Sequence, residues 1–308
     1  MQGIQSYLGW KVDFASPPGA PAFCGPDSVS WRVFKNPIAL GVGGVAAVLL
    51  EFADARIRSG VWDHSTYKQD PIGRSQRTGM AAMVGVYGPR EAARRVIQGV
   101  TNMHARVEGR TPSGEDYKAL DGELLDWVSA TASWGFLNAY DRFVAKLSEG
   151  EKRRFYEEGE PIGRLYGVRT PVRSDADFIA MMERLAPRFE PHPIVSEFLE
   201  IVRSGPGALG LPKSLRKLMA QASVALLPPM VRERLELGPE HDLTPAGEKV
   251  LRVLGAIAER APILSAPPAQ ACLRLGLPAD FLYRGRRAQE RALARWRLAE
   301  ASAAMAAE

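Results

Sequence analysis

A chain of 308 residues with 46% hydrophobic and 24% charged side chains is long enough to bury a large core and has the make-up of an ordinary globular protein. Its 40 basic and 35 acidic residues leave a net charge of +5. They are scattered, with no long basic block, RNA-binding signature or zinc-finger spacing, so a dedicated nucleic-acid binder is excluded. Cys24 and Cys272 are far apart and form no CxxC, which excludes a disulfide scaffold and fits a reducing, cytoplasmic setting.

The opening "MQGIQSYLGWKVDF" lacks the basic start and long apolar run of a signal peptide. With "SPPGAPAFCGP" it makes residues 1–34 an extended Pro/Gly-rich arm laid over the surface. The most apolar stretch, 37–50, ends at Glu51 and falls short of the roughly 20 residues that span a membrane. It opens a predicted buried helix over 38–60. Asp70, Pro71 and Gly88 bracket the next helix, and Pro89 and Gly109 the one after it. A turn-rich connector, 110–121, leads to a long helix from the Asp121 cap to about Leu147, and a Ser148–Glu151 capping box starts another.

Further helices are predicted at "SDADFIAMMERLAPRF", "HPIVSEFLEIVRS", "PKSLRKLMAQASVALLPP" (stopped by Pro228 and Pro229), "TPAGEKVLRVLGAIAERA" and 286–307. No alternating run is long enough for a sheet and no repeat is present. The prediction is an all-α single domain of about ten helices.

Three places carry candidate chemistry. Val96, Ile97, Val100, Met103, His104 and Val107 fall at helical spacing on one face, so His104 points inward. There it is either a core histidine bonded to a carbonyl or a ligand for iron. Arg74, Arg77, Thr78 and Ala81 share a face of the preceding helix; the stripe is either solvated or built to hold an anion, haem propionates or dioxygen. "GVWDHSTYKQDP" packs Asp63, His64, Tyr67 and Asp70 between two helices, where His64 is either a base or part of a capping junction. The terminal arginines Arg284, Arg286, Arg287, Arg291, Arg295 and Arg297 suit a solvated surface helix paired with Glu290 and Glu300, or a peripheral contact with anionic lipid. No GxSxG, P-loop, HExxH or strand-borne GxGxxG is present, and the glycines of "GVGGVA" follow no predicted strand.

The strings "DHSTYKQDPIGRSQRT", "MHARVEG", "YKALDGELLDWVSAT", "FYEEGEPIGRLYGV" and "LLPPMVRERLEL", in this order, resemble the MpaB-type oxygenase domain, a family that includes the latex-clearing rubber oxygenases. The resemblance covers about residues 35 to 260. It implies an oxygenase domain over 35–265, a helical extension over 266–308, and a globin-like helical core holding haem b. It also implies dioxygen as co-substrate and oxidative cleavage of a C=C bond in a hydrophobic, isoprenoid or lipid-like substrate. His104 stands where the family places its proximal iron ligand, and Arg74 and Thr78 match the distal "RxxKT" pattern. Arg77 replaces that pattern's lysine and stays protonated, so the expected iron is pentacoordinate or water-bound. Ser129 replaces the histidine of "WVHAT". His64 is the candidate base, by location.

A second class of function uses the same residues: a non-enzymatic helical carrier of haem or lipid, which would not consume oxygen. A haem-free metal site on His64 and His104 lacks an acidic ligand pair at suitable spacing.

Overall fold

Asp, Ser, Asn and Thr caps and first-turn prolines punctuate the chain into α-helices from end to end. The structure, a computed structural model, describes residues 4–7, 10–204 and 211–306. The N-terminal arm holds an antiparallel hairpin, β1 (Ile4–Tyr7) and β2 (Trp10–Asp13). The first half continues with α1 (Val29–Phe34), α2 (Pro37–Phe52), α3 (Ala55–His64), α4 (Pro71–Tyr87) and α5 (Arg90–His104). A second hairpin, β3 (Glu108–Arg110) and β4 (Asp116–Lys118), precedes α6 (Gly122–Phe143), α7 (Glu149–Tyr166) and α8 (Asp175–Leu185). Then come α9 (Pro193–Ser204), α10 (Lys213–Leu226), α11 (Pro229–Arg234), α12 (Pro245–Ala258), α13 (Pro267–Arg274) and α14 (Arg286–Ala306).

The all-α class holds, with more helices than the ten expected. Two causes account for much of the difference. The apolar helix predicted over 38–60 is two helices, because Asp54 leaves helical geometry and caps α3, accepting from the Arg56 N–H at 2.9 Å. Pro229 ends no helix by itself; it is the first residue of α11. The connector at 110–121 contains β4 and part of β3, a pairing too short to leave an alternating pattern. Elsewhere the caps act as expected. Asp70 accepts from the Gly73 N–H at 2.8 Å, and Ser148 and Glu151 form the reciprocal capping box of α7.

The centre of the fold is the α2–α6 pair. A side chain at Gly43 would meet the Gly135 carbonyl oxygen at 2.7 Å, and one at Gly135 would meet the Gly43 oxygen at 2.6 Å. Two facing glycines therefore let the backbones touch, and this sets the register of everything further along both helices. Trp127 on α6 donates to the Leu50 carbonyl of α2 at 3.3 Å, and Trp127 stacks on Phe178 of α8 at 5.5 Å between ring centres.

The arm is not simply laid over the surface. Val12 and Phe14 are buried. The guanidinium of Arg274, itself buried, donates to the carbonyls of Phe14 (2.6 Å), Ala20 (2.8 Å) and Tyr87 (2.7 Å). Extended backbone and helix ends leave carbonyls unpaired, and one arginine fork of α13 satisfies two from the arm and one from the end of α4. Cys24 and Cys272 are free, buried thiols, each pushed up to about 12 by burial.

Candidate functional site

Arg74, one turn into α4, is the point at which the candidate residues meet. Its guanidinium lies on the Thr78 hydroxyl one turn ahead, and that hydroxyl donates back to the Arg74 carbonyl at 3.1 Å. Its charge is felt by three ionisable groups from other elements: Glu51 near the end of α2, Tyr67 in the α3–α4 connection and His104 at the end of α5.

His104 is the last residue of α5, which stops there because the chain turns into β3: the Val107 N–H bonds the His104 carbonyl at 3.0 Å. A helix C-terminus favours a protonated imidazole. Burial, and secondarily the Arg74 cation, act the other way and lower the His104 pKa. The ring is therefore neutral near pH 7. Neither ring nitrogen has a hydrogen-bond partner among the described residues, although the side chain is half-buried. Of the apolar face expected around it, Val96, Ile97 and Val100 are buried. Met103, in the last turn of the helix, is exposed.

Glu51 is the member of this group that sequence reasoning missed. Burial pushes its carboxyl up to about 7 from 4.5, held back by a hydrogen bond from Thr131 and by Arg74. Thr131 is the last residue of the "WVSAT" string, and its hydroxyl stands 3.2 Å from Glu51 Oε1. The available signal was a lone carboxylate closing an otherwise apolar helix. Tyr67, buried and hydrogen-bonded with Ser75, joins an aromatic wall. Its ring lies 5.9 Å from Trp62 and 5.6 Å from Phe198, and Phe198 lies 5.5 Å from Phe52.

The remaining predicted residues lie apart from this group. Arg77 turns along the exposed side of α4, donating to Thr66 at 2.6 Å and pairing with Asp70 at 3.4 Å. His64 is exposed, and its Nε2 is 3.1 Å from the Tyr117 hydroxyl of β4. The Ser129 hydroxyl faces Gly163 of α7. Ala81 is half-buried on α4. Among the described residues no three His, Cys, Asp or Glu side chains converge as a metal-ligating group.

The arrangement thus combines a fixed cation, a neutral imidazole with a free lone pair, and a carboxyl that changes protonation near neutral pH. Chemically, such an imidazole can ligate a metal, such a guanidinium can hold an anion, and such a carboxyl can exchange a proton.

No curated protein and no solved structure matches the chain. The model of one family, described as "ER-bound oxygenase mpaB/B'/Rubber oxygenase, catalytic domain", matches residues 31–260. That span contains Glu51, Arg74, Thr78, His104 and Thr131, and the chain belongs to this family of oxygenases.

Proposed function

We propose that the protein is a haem b-dependent oxygenase acting on an unsaturated, hydrophobic, isoprenoid or lipid-like substrate by oxidative C=C cleavage, with His104 as the iron ligand. The observation that carries this is the half-buried His104 imidazole, held neutral and without a hydrogen-bond partner, beside Arg74. A neutral, unpartnered imidazole is the donor that haem iron takes from a protein. A site with one such donor and no converging carboxylates suits a macrocycle that brings its other ligands with it.

Haem would supply the binding and activation of dioxygen, whose two oxygen atoms would end in the two carbonyls that replace the C=C bond. The protein's own groups do the rest. His104 holds the cofactor from α5. The Arg74 guanidinium offers fixed positive charge to propionate or to negative charge developing on oxygen, and Thr78 orients that guanidinium. Glu51, with a pKa of about 7, accepts or returns a proton at Oε, steadied by Thr131. The buried rings of Tyr67, Trp62 and Phe198 would keep the surroundings of Arg74 apolar. Arg77 stays with Asp70 and Thr66 and has no lone pair to offer a metal.

The test is the absorption spectrum of the purified protein, oxidised and then reduced. A Soret band that shifts on reduction is expected in the wild type and lost in His104→Ala. Full haem occupancy in that variant would remove His104 from the reading. Oxygen uptake with an isoprenoid alkene separates the oxygenase from a carrier, which would bind haem or lipid and consume no oxygen.

A further inference from the structure

Helix α12 packs on α2, α6 and α10, with Leu251 and Gly255 buried on that side. Its outer side is also apolar. Val250 (48% exposed), Val253 (58%) and Ile257 (58%) recur at spacings of three and four and form one stripe. The chain then presents Ile263 (56%) and Leu264 (57%) to solvent. A shallow groove of about 440 Å³, lined by Val253, Ala256, Ile257, Arg260 and Ala261, runs along the stripe. Single exposed apolar side chains are ordinary; five within one helix and its exit are not.

From residue 249 onward the exposed charges of this segment have one sign. Lys249, Arg252 and Arg260 are exposed. From 249 to 265 the sequence holds one carboxylate, Glu259. It is turned inward, pairing with Lys35 at 2.9 Å and bonded to Asn36 and Tyr140. Arg252 meets Glu248, but that carboxylate also takes Arg142. The outward surface is therefore an apolar ridge with a cationic rim.

We propose that this face is a peripheral docking surface for an anionic lipid bilayer. An amphipathic helix lying flat buries its apolar side at the boundary between headgroups and acyl chains while its basic rim meets anionic headgroups. A second copy of the chain is a poorer occupant, because a two-fold contact on this stripe would bring like-charged rims together. The face is distinct from the arginine-rich α14, where Arg286 is taken by Glu290 and Arg297 by Asp27. It is also distinct from a spanning anchor, since among the described residues no helix is long and apolar enough to cross a membrane. Docking leaves the candidate site clear. α12 meets the N-terminus of α2, where Asn36 donates to the Gly255 carbonyl at 3.0 Å, and Glu51 lies about 22 Å further along that helix.

Co-sedimentation of the full chain with vesicles tests this. Binding to phosphatidylcholine vesicles carrying about 30 mol% phosphatidylserine is expected to exceed binding to pure phosphatidylcholine at least about tenfold, and to weaken with salt. Lys249→Glu/Arg260→Glu is expected to lower it by about tenfold or more, since each rim cation is worth about fivefold. Val253→Ser/Ile257→Ser is expected to lower it comparably, with an unchanged far-UV circular dichroism spectrum. Equal sedimentation with both vesicle types, or variants that bind like the wild type, would overturn the proposal. A dimer seen by light scattering and dissolved by Val253→Ser/Ile257→Ser would also overturn it, giving the face to a second copy.

Discussion

Two clusters of buried charge lie at opposite ends of α2, and they are built on opposite terms. At the N-terminal end, Lys35 donates to the carbonyls of Leu282 (2.6 Å) and Glu259 (2.9 Å), pairs with the Glu259 carboxylate, and lies 4.8 Å from the Tyr283 ring. The carboxylate also receives Tyr140 at 2.8 Å and Asn36 at 3.1 Å. Every polar group there has partners, and the cluster ties α1, α2, α6 and α12 to the chain before α14. At the C-terminal end, Glu51 has one hydroxyl and a neighbouring cation, and His104 has no side-chain partner. A saturated cluster is structural. One left short of partners keeps lone pairs and protons available, at a cost to stability.

The contrast can be broken by mutation. The largest loss of stability is expected for Glu259→Ala, which strands the buried Lys35 ammonium. About 3 kcal/mol should be lost in denaturant unfolding, and a milder loss than that of any Glu51 or His104 variant would refute the structural assignment. Glu51→Gln should act in the other direction. An acid whose folded pKa lies above its unfolded value opposes folding as pH rises. Nothing is lost below about pH 4.5, and the penalty is complete above about pH 7. The amide removes that penalty, so Glu51→Gln is expected to match the wild type near pH 4 and exceed it by about 2–3 kcal/mol at pH 8, while losing oxygenase turnover. A stability difference that does not change with pH would place the Glu51 carboxyl in water.

Gly135→Ala tests the helix contact that sets both ends of α2. Its methyl would meet the Gly43 carbonyl oxygen at 2.6 Å, backbone that cannot yield cheaply, and about 1–3 kcal/mol should be lost. The smallest effect on folding is expected for His104→Ala. It removes a half-buried ring without hydrogen bonds from the last residue of a helix, so stability should stay within about 1 kcal/mol while haem retention disappears. If His104→Ala unfolds the protein instead, the imidazole is structural and the two clusters are alike.

Much of the helical punctuation was legible from residues alone. Asp70 with Pro71, and Ser148 with Glu151, act through backbone groups one turn away, so their effect is local and needs no tertiary partner. The Arg74–Thr78 contact was legible for a related reason, since positions i and i+4 meet on one face of a helix. The face shared by Arg74 and Arg77 was a half-truth. Helical spacing places both on one side, but Thr66 and Asp70 draw Arg77 outward, and long side chains follow their partners rather than their Cβ direction.

What the sequence by itself determined is the helical class, the caps and the inward histidine, because periodicity and capping are properties of residues within a few positions of each other. What only the tertiary structure decided is the pairing of distant groups. The Glu51 carboxyl is pushed up because α2 and α6, touching at Gly43 and Gly135, bring Thr131 to it and surround it with protein. Glu259 is inert by the same physics, because the fold delivers Lys35, Asn36 and Tyr140 to it. Two glutamates identical in composition differ in chemistry because desolvation and hydrogen bonding are set by neighbours far away in sequence.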